Sequence, residues 1–145
     1  MVMDKAVLVY WSGTGNTRDM AESIAMGVRE TGTDLLNLHV SDADASNVAA
    51  YDKIILGCSA MGAEVLEEGE FEPFFTELES KLTGKKVALF GSYGWGDGEW
   101  MRLWEERVLN SGADLFESGL ILNETPDTMG LADCKAFGKR FAQLA

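Results

Sequence analysis

The segment Ala6-Val7-Leu8-Val9-Tyr10-Trp11-Ser12-Gly13-Thr14-Gly15-Asn16-Thr17 contains the transition that decides the fold. Its first half, Ala6–Trp11, is a continuous apolar run of the kind that forms a strand buried on both faces. The second half is a short polar loop, and the residues from Thr17 to Glu30 then place apolar side chains at helical spacing. A buried strand, a tight loop and an amphipathic helix in succession are typical of a parallel α/β sheet.

The same alternation continues along the rest of the chain. Further strands are predicted over 35–40, 53–57, 85–91 and 115–122, and further helices over 45–50, 71–82, 99–110 and 131–144. Because crossovers between parallel strands are right-handed, we expect a three-layer, doubly wound, five-stranded parallel sheet. Residues 1–145 have the usual length of a single domain. Ligands of such sheets bind beyond the carboxyl ends of the strands, where the winding reverses.

Composition restricts the compartment and the partners. The formal net charge of −12 repels nucleic acid and anionic membrane surfaces, and the apolar runs are too short to span a bilayer. The first five residues lack the layout of a signal peptide, so we expect a cytoplasmic protein. The charge favours basic protein partners met in brief, electrostatically steered encounters. Acidity that serves only solubility explains the same number equally well.

The cysteines and the histidine suggest no catalytic or metal chemistry. Cys58 closes an apolar run and reads as a small buried hydrophobe, while Cys134 is expected to be partly buried. A disulfide between them is disfavoured in a reducing compartment. His39 has no cysteine or histidine at ligand spacing, so no metal site is expected.

The loop from Ser12 to Thr17 has the composition of a phosphate-binding turn. Its two glycines let successive backbone N–H groups point into one concavity. The following helix adds free N–H groups and the positive end of its dipole, and Ser12, Thr14 and Thr17 each add a hydroxyl. A helix cap needs one hydroxyl, so three favour a phosphate over simple capping. The loop has neither the Walker A lysine nor the third glycine of a dinucleotide fingerprint.

Two more loops at the same edge of the predicted sheet are unusual. Ser59-Ala60-Met61-Gly62-Ala63-Glu64 follows the third strand, and Ser92-Tyr93-Gly94-Trp95-Gly96-Asp97-Gly98 follows the fourth. Large aromatics on a glycine-rich loop suggest a platform for a flat ring. The alternative is that Tyr93 and Trp95 pack onto the next helix, and core packing is the default interpretation of Met61 taken alone.

Together, these three motifs closely resemble the loops of the short-chain flavodoxins of anaerobic bacteria, and the resemblance covers essentially the whole chain. The predicted last strand, 115–122, is uninterrupted, as in the short-chain class. The resemblance implies the strand order 2-1-3-4-5 and non-covalently bound FMN. It implies no catalytic residue, because the redox chemistry belongs to the cofactor.

The resemblance also implies a set of cofactor contacts. Ser12, Thr14, Asn16, Thr17 and Ser59 would surround the phosphate, Met61 and Trp95 would cover the two faces of the ring, Glu64 would accept the flavin N3–H, and the backbone near Gly94 would approach the pyrimidine edge. The complete predicted set is Ser12, Gly13, Thr14, Gly15, Asn16, Thr17, Ser59, Ala60, Met61, Gly62, Ala63, Glu64, Ser92, Tyr93, Gly94, Trp95 and Gly96.

The function that follows from the resemblance is low-potential, one-electron transfer by a monomer that cycles mainly between semiquinone and hydroquinone. Its partners would be reductases and acceptor enzymes with basic docking surfaces. Uncompensated charge in a site shielded from water costs several kcal/mol, whereas screened repulsion from nearby glutamates adds about 1 kcal/mol. We therefore expect water exclusion by Met61 and Trp95 to lower the potential more than the acidic surface does.

The turn Met61–Glu64 prompts a separate hypothesis. In the family the central peptide of this turn flips on reduction, and the flipped turn favours a positive φ at its third residue. Ala63 occupies that position here, where a β-carbon costs about 1 kcal/mol. We expect Ala63 to weaken stabilisation of the one-electron reduced state.

Two other functions share this architecture. A flavodoxin-like FMN-dependent quinone or flavin reductase needs room over the ring for a second substrate, which Trp95 is expected to cover. A phosphoacceptor receiver domain needs aspartates at the ends of strands one and three, where this chain has Tyr10-Trp11 and Gly57-Cys58.

Overall fold

A computed structural model describes residues 4–61, 65–94 and 96–144 of the chain. The strands are β1 (Lys5–Trp11), β2 (Asp34–His39), β3 (Lys53–Cys58), β4 (Lys86–Tyr93), β5 (Asp114–Leu115) and β6 (Leu120–Asn123). The helices are α1 (Asn16–Glu30), α2 (Ala45–Val48), α3 (Phe71–Glu79), α4 (Glu99–Asn110) and α5 (Thr128–Ala142), with a 3₁₀ turn at Val40–Asp42.

The strands form one parallel sheet in the order β2-β1-β3-β4-β5, which confirms the predicted doubly wound topology. Every residue of β3 is buried, as expected for the centre of a sheet covered on both faces. Helices α1 and α5 cover one face, and α2, α3 and α4 cover the other. The loops after β1, β3 and β4 therefore meet at one edge, where the winding direction changes.

Helices α1 and α5 approach closely because glycines line their contact. A Cβ on Gly27 would overlap the backbone carbonyl of Lys135, and a Cβ on Gly138 would overlap that of Ile24. Both glycines are buried within their helices. Backbone-to-backbone packing of this kind tolerates no added methyl group without a shift of one helix.

The last strand is interrupted, so the continuous strand predicted over 115–122 is wrong: the predicted five-position order stands, and a sixth strand is added at the last position. Both β5 and β6 pair in parallel with β4 and share one edge position. Lys86 pairs with Asp114, 28 positions later, whereas Phe90 pairs with Leu120, 30 positions later. Two residues of the edge strand are therefore looped out between the pairs.

The interruption has a local cause at Glu117. Its φ of 52° lies in the left-handed region, which a strand residue does not adopt. Both of its carboxylate oxygens accept hydrogen bonds of 3.0 Å from Arg140 of α5, which stabilises that conformation. The preceding Phe116 packs its ring against Phe137 and Phe141. The segment thus keeps the apolar composition of a strand, and the sequence pattern did not reveal the break.

Other boundaries moved slightly. Helix α3 ends at Glu79 rather than at 82, α2 ends at Val48 rather than at 50, and α5 begins at Thr128 because the Asp127 carboxylate caps it through the N–H of Gly130 at 2.7 Å. Cys58 and Cys134 are free thiols, and Cys134 is completely buried rather than partly so. Among the described helices, none combines the length and apolarity needed to cross a bilayer.

Candidate cofactor-binding site

The loops after β1, β3 and β4 enclose a cleft of about 300 Å³ at the carboxyl edge of the sheet. This volume lies at the lower end of the range of small-molecule sites. The residues that line the cleft are Trp11, Gly13, Thr14, Asn16, Ser59, Ala60, Met61, Ser92, Tyr93, Gly94 and Glu124. Two glycines let these strand ends approach: a Cβ on Gly57 would overlap the Phe90 ring, and one on Gly91 would overlap the carbonyl of Cys58.

The turn after β1 is held from within by Ser12. The Ser12 hydroxyl oxygen accepts hydrogen bonds from the N–H of Gly15 at 3.1 Å and from the N–H of Arg18 at 3.2 Å. Gly15 has a φ of 100°, which a residue with a β-carbon would adopt only at a cost. Ser12 therefore shapes the loop, and its hydroxyl proton remains its only donor.

Three hydroxyl groups from the start of α1, the end of β4 and the loop after β3 meet at the cleft. The Thr17 hydroxyl oxygen lies 2.6 Å from that of Ser59 and 2.9 Å from that of Ser92, and the two serine oxygens are 3.4 Å apart. The backbone N–H of Ser92 also donates to Thr17 at 3.3 Å. We call Thr17, Ser59 and Ser92 the hydroxyl triangle. It ties the start of α1 to the ends of β3 and β4, which are 42 and 75 positions away from Thr17.

The donor set around the triangle suits a phosphate. The N–H groups of Asn16 and Thr17 open helix α1 and find no acceptor within the described part of the chain. Unpaired N–H groups at a helix start bind anions, and the helix dipole favours the negative charge. Among the described residues that line the cleft, none carries a cationic side chain. A phosphate here would be held by neutral N–H and O–H donors.

Aromatic and thioether side chains form the walls of the cleft. The Trp11 ring lies over the phosphate loop, so that a Cβ on Gly13 would come within 2.9 Å of it. Tyr93 lines the cleft and also packs against Trp100 of α4, with ring centroids 5.8 Å apart. Tyr93 therefore packs onto the next helix, as the alternative interpretation expected, and its role as a platform for a ring stays a prediction. Met61 lines the cleft rather than the core.

The loop after β3 is fastened at several points. Ala60 N–H donates to the carbonyl of Ser92 at 3.0 Å, and Met61 N–H donates to the carbonyl of Val65 at 3.1 Å. The carboxylate of Glu67 accepts the N–H groups of Gly69, Glu70 and Phe71 at 2.7, 2.7 and 2.9 Å. These hydrogen bonds outweigh the opposing effect of partial burial and lower the pKa of Glu67.

The thiol of Cys58 lies under the same loop. Its sulfur accepts the N–H of Glu67 at 3.4 Å and lies 3.5 Å from the carbonyl oxygen of Ser59. Burial raises the pKa of Cys58 to about 12, so the thiol is protonated at neutral pH. A protonated, buried thiol is a packing and hydrogen-bonding group rather than a nucleophile.

The predicted site residues fall into four groups. Gly13, Thr14, Asn16, Ser59, Ala60, Met61, Ser92, Tyr93 and Gly94 line the cleft. Ser12, Gly15 and Thr17 support it from behind, and Gly96 is exposed outside the lining. Gly62, Ala63, Glu64 and Trp95 lie outside the described residues, so the predictions made for them stay predictions.

The sequence-based prediction missed Trp11 and Glu124. Trp11 ends β1 and lines the cleft. A large aromatic residue directly before a glycine-rich turn is the signal in the sequence that points to it. Glu124 follows β6, with its N–H bonded to the carbonyl of Tyr93 at 2.7 Å and a φ of 56°. The loop after the last strand begins at the same edge of the sheet as the other three loops, and this position is the signal in the sequence that points to Glu124.

The fold and the donor set define a class: a doubly wound α/β protein that holds a phosphorylated ligand at its topological switch point. Comparisons with known proteins narrow this class. The sequence profile of the flavodoxin family matches residues 8–138. A flavodoxin of Clostridium beijerinckii is 55% identical over 137 residues, covering 94% of this chain and 99% of its own. A flavodoxin of Megasphaera elsdenii is 48% identical over 136 residues, covering 94% and 97%.

Solved structures agree with the sequence comparisons. The solution structure of two-electron reduced Megasphaera elsdenii flavodoxin superposes with a TM-score of 0.87 at 47% identity, covering 96% of this chain and 99% of that one. A flavodoxin from the domain Archaea gives a TM-score of 0.88 at 30% identity, with 96% coverage of both chains. The chain belongs to the flavodoxin family, and with its two anaerobic relatives it falls in the short-chain type. It is an FMN-binding electron-transfer protein and not a substrate-turnover enzyme.

Proposed function

We propose that the cleft between the ends of β1, β3 and β4 is the FMN site of a low-potential, one-electron carrier formed by a single domain. The observation that carries the assignment is the hydroxyl triangle beside the unpaired N–H groups of Asn16 and Thr17. The phosphate would be bound by Thr14, Asn16 and the hydroxyl triangle, which includes Ser59. Gly13, Gly15 and Ser12 would assist by shaping the loop. When bound, FMN supplies the one-electron chemistry, and the protein supplies position and surroundings.

The remaining predicted contacts belong to the flavin ring. We assign Met61 and Trp95 to its two faces, and Tyr93, Gly94 and Gly96 to the loop that approaches it from β4. Ala60, Gly62, Ala63 and Glu64 complete the set on the β3 side, with Glu64 as the acceptor of the ring N3–H. The position of Met61 and Tyr93 in the cleft wall supports this assignment.

The absence of cationic side chains from the described lining of the cleft supports a low potential. The described lining offers no lysine or arginine to a negative charge that develops on a ligand, and Glu124 lies in the wall; the Arg18 guanidinium lies beside Gly15, outside that lining. Walls formed by Trp11, Met61 and Tyr93 exclude water that would otherwise solvate that charge. Both effects favour the oxidised form of the bound group and make its reduced form a strong donor.

The distribution of charge supports docking to basic partners. Five of the seven lysines, Lys5, Lys53, Lys81, Lys85 and Lys86, lie at the amino edge of the sheet, away from the cleft. The other two, Lys135 and Lys139, pair with Glu30 on the face covered by α1 and α5. The carboxyl edge carries Asp42, Asp44, Glu67, Glu68, Glu70, Asp97, Glu124 and Asp127.

This segregation gives the molecule an electrostatic direction. A positively charged partner is steered toward the carboxyl edge, where the cleft opens, rather than toward the lysine-bearing edge. Cytoplasmic reductases and acceptor enzymes with basic surfaces around their own redox groups are the partners that fit. A monomer leaves this edge open for them.

Cofactor titration tests the assignment. We expect the apoprotein to bind FMN much more tightly than riboflavin, because only FMN has the phosphate. Thr17→Val and Ser59→Ala should each weaken FMN binding by about 10- to 100-fold, since a hydrogen bond to a charged group contributes about 1.5–3 kcal/mol. Neither variant should alter riboflavin binding. Equal affinity for FMN and riboflavin in the wild-type protein would overturn the assignment of the phosphate.

Reduction kinetics separate the carrier from the alternative, an FMN-dependent quinone or flavin reductase. A carrier with bound FMN stays oxidised when mixed with NADH or NADPH alone and is reduced when a partner reductase is added. Rapid reduction by either nucleotide without a partner would support the reductase instead.

A further inference from the structure

The cluster around Glu67 combines more hydrogen bonds than a helix cap requires. Its carboxylate accepts the N–H groups of the two residues before α3 and of Phe71, the first residue of α3. Its N–H donates to the sulfur of Cys58, and its carbonyl accepts the N–H of Glu72 at 2.8 Å. One residue is therefore bound at once to the end of β3 and to the start of α3. An ordinary side-chain cap satisfies one or two N–H groups.

The same cluster is connected to the cleft. Val65 and Leu66 directly precede Glu67, and Leu66 is buried in the core at 5% exposure. The carbonyl of Val65 accepts the N–H of Met61, and Met61 lines the cleft. On the other side, Cys58 precedes Ser59 of the hydroxyl triangle. Glu67 thus lies two residues from Val65, whose carbonyl accepts the Met61 N–H. Its own N–H is bonded to Cys58, the last residue of β3, which directly precedes Ser59.

We propose that Glu67 is a positioning residue for the flavin site, which fixes the backbone of Met61 by bonding the loop after β3 to both β3 and α3. The proposal rests on the assignment of the cleft to FMN. In this role Glu67 acts on the site through Met61 and does not itself touch the cofactor. It determines how firmly Met61 is held, and so how the wall beside the ring responds when the ring is reduced.

The neighbouring acidic residues have different surroundings. An effect of geometry at Glu67 can therefore be distinguished from an effect of negative charge alone. Glu68 and Glu70 are exposed, and Glu72 is paired with Arg107 at 2.7 Å. Of these four glutamates, Glu67 alone has its carboxylate bound to the backbone N–H groups at the start of α3, those of Gly69, Glu70 and Phe71. Those N–H groups and the helix dipole offset its negative charge, so it acts on the site through geometry.

The experiment compares Glu67→Gln with Glu68→Gln in the full chain. Both variants lose one negative charge at adjacent positions and gain an NH2 group that cannot accept an N–H. Of the two carboxylates, only that of Glu67 accepts backbone hydrogen bonds in the structure. Amide hydrogen exchange at Met61 is measured by NMR in the apoprotein. The one-electron potentials of the FMN complex are measured by redox titration.

We expect Glu67→Gln to accelerate exchange of the Met61 amide at least tenfold. It should also change the ratio of affinities for oxidised and reduced FMN by roughly threefold or more, equivalent to about 28 mV for one electron. Glu68→Gln should leave Met61 exchange unchanged and shift the potential by less. Glu67→Asp keeps the charge but shortens the reach, and it should behave like Glu67→Gln.

Two outcomes would overturn the proposal. Equal shifts of potential in Glu67→Gln and Glu68→Gln would mean that only charge matters. Faster exchange confined to Gly69–Phe71, with Met61 exchange and the potentials as in the wild-type protein, would mean that Glu67 only caps α3. If Glu67→Gln fails to fold, Glu67→Asp decides the same question. Exchange at Met61 in the apoprotein does not depend on FMN, so a failed cofactor assignment would be recognised separately by the riboflavin comparison.

Discussion

The ammonium nitrogen of Lys53 lies 2.7 Å from the carbonyl oxygen of Leu144, although the two residues are 91 positions apart. It also donates to the carbonyl of Ala142 at 2.9 Å and lies 3.9 Å from the carboxylate of Asp4. Lys53 is buried at the start of β3 with 7% exposure. A single buried cation therefore satisfies the end of α5, where the helix dipole is negative, and joins it to the central strand.

Replacing this lysine should cost stability. We expect Lys53→Met to lower the free energy of unfolding by about 2–3 kcal/mol, because two carbonyls lose a charged donor. The matched control is Lys85→Met, whose partner Asp52 is 94% exposed at 3.6 Å and which should cost less than about 1 kcal/mol. Urea denaturation of the two variants measures the difference. Equal losses would contradict the special role of Lys53.

Because α1 and α5 are in close contact, we expect Gly→Ala substitutions at this contact to lower stability, which is the opposite of their usual effect in a helix. On an open helix surface Gly→Ala stabilises by about 1 kcal/mol. At Gly27 and Gly138 the added methyl would overlap a backbone carbonyl of the other helix, so Gly27→Ala and Gly138→Ala should each destabilise by about 1–3 kcal/mol. Thermal unfolding provides the measurement. A stabilised variant would show that the helices can separate without cost.

The ion pairs of Arg107 predict a loss of stability in acid. Arg107 donates to Glu72 at 2.7 and 2.9 Å and to Glu79 at 2.9 Å, and its guanidinium lies 4.7 Å from the centre of the Phe75 ring. The hydrogen bonds from Arg107 hold the pKa of Glu72 below its ordinary value. A depressed pKa in the folded state stabilises above the unfolded value of about 4.3 and is lost as the pH falls through the folded value.

Urea titrations at pH 7 and in the range below about pH 4.3 test this pair. Both side chains are about one-third exposed, so we expect it to contribute about 0.5–1 kcal/mol. Glu72→Gln should be less stable than the wild-type protein at pH 7 and should approach it in acid. A constant difference across this range would exclude titration of Glu72 as the cause.

The buried thiols predict slow labelling and sensitivity to alkali. Burial raises the pKa of both Cys58 and Cys134 to about 12, well above the value of about 8.5 for a free cysteine. Stability linked to these groups is complete below the unfolded value and decreases as the pH rises toward the folded value. A thiol reagent at pH 8 should react only as fast as the protein unfolds and should label both cysteines rapidly in urea. Fast labelling without urea would contradict the burial.

The hypothesis on Ala63 stays a prediction, because residues 62–64 lie outside the described part of the chain. Ala63→Gly should raise the first reduction potential by up to about 40 mV, which corresponds to about 1 kcal/mol for a β-carbon in the left-handed region. Affinity for oxidised FMN should stay the same, since the effect belongs to the reduced state. Redox titration of the two proteins decides, and an unchanged or lowered potential would refute the hypothesis.

Much of the fold followed from local patterns. Continuous apolar strands and amphipathic helices have distinct periods, so β1, β3, β4 and α4 were predicted to within two residues at each end. The interruption at Glu117 could not be predicted, because no residue near it in the sequence indicates its left-handed backbone, and the Arg140 side chain that it contacts is 23 positions away. A left-handed backbone held by a distant side chain leaves no trace in a local pattern.

Hydrogen-bond donors that lie together in one loop could be recognised in the sequence. Contacts between residues of different loops and strands could not. The turn at Ser12–Thr17 could be identified from its own composition. The three-way contact of Thr17, Ser59 and Ser92 required the actual approach of β3 and β4. Glu67 is one of four glutamates between positions 67 and 72, and its bonds to the start of α3 and to Cys58 distinguish it from the others.

The hydroxyl triangle also determines what the empty protein can do. Each of its three hydroxyls carries one proton, and either member of each pair can be the donor. The direction of these hydrogen bonds can therefore reverse by rotation of O–H bonds, while every heavy atom stays in place. Without a ligand the protons satisfy one another; with an anion nearby they turn toward it. An anion that met these three hydroxyls would therefore need no movement of their oxygen atoms, and the cost of bringing Thr17, Ser59 and Ser92 together is met when the chain folds.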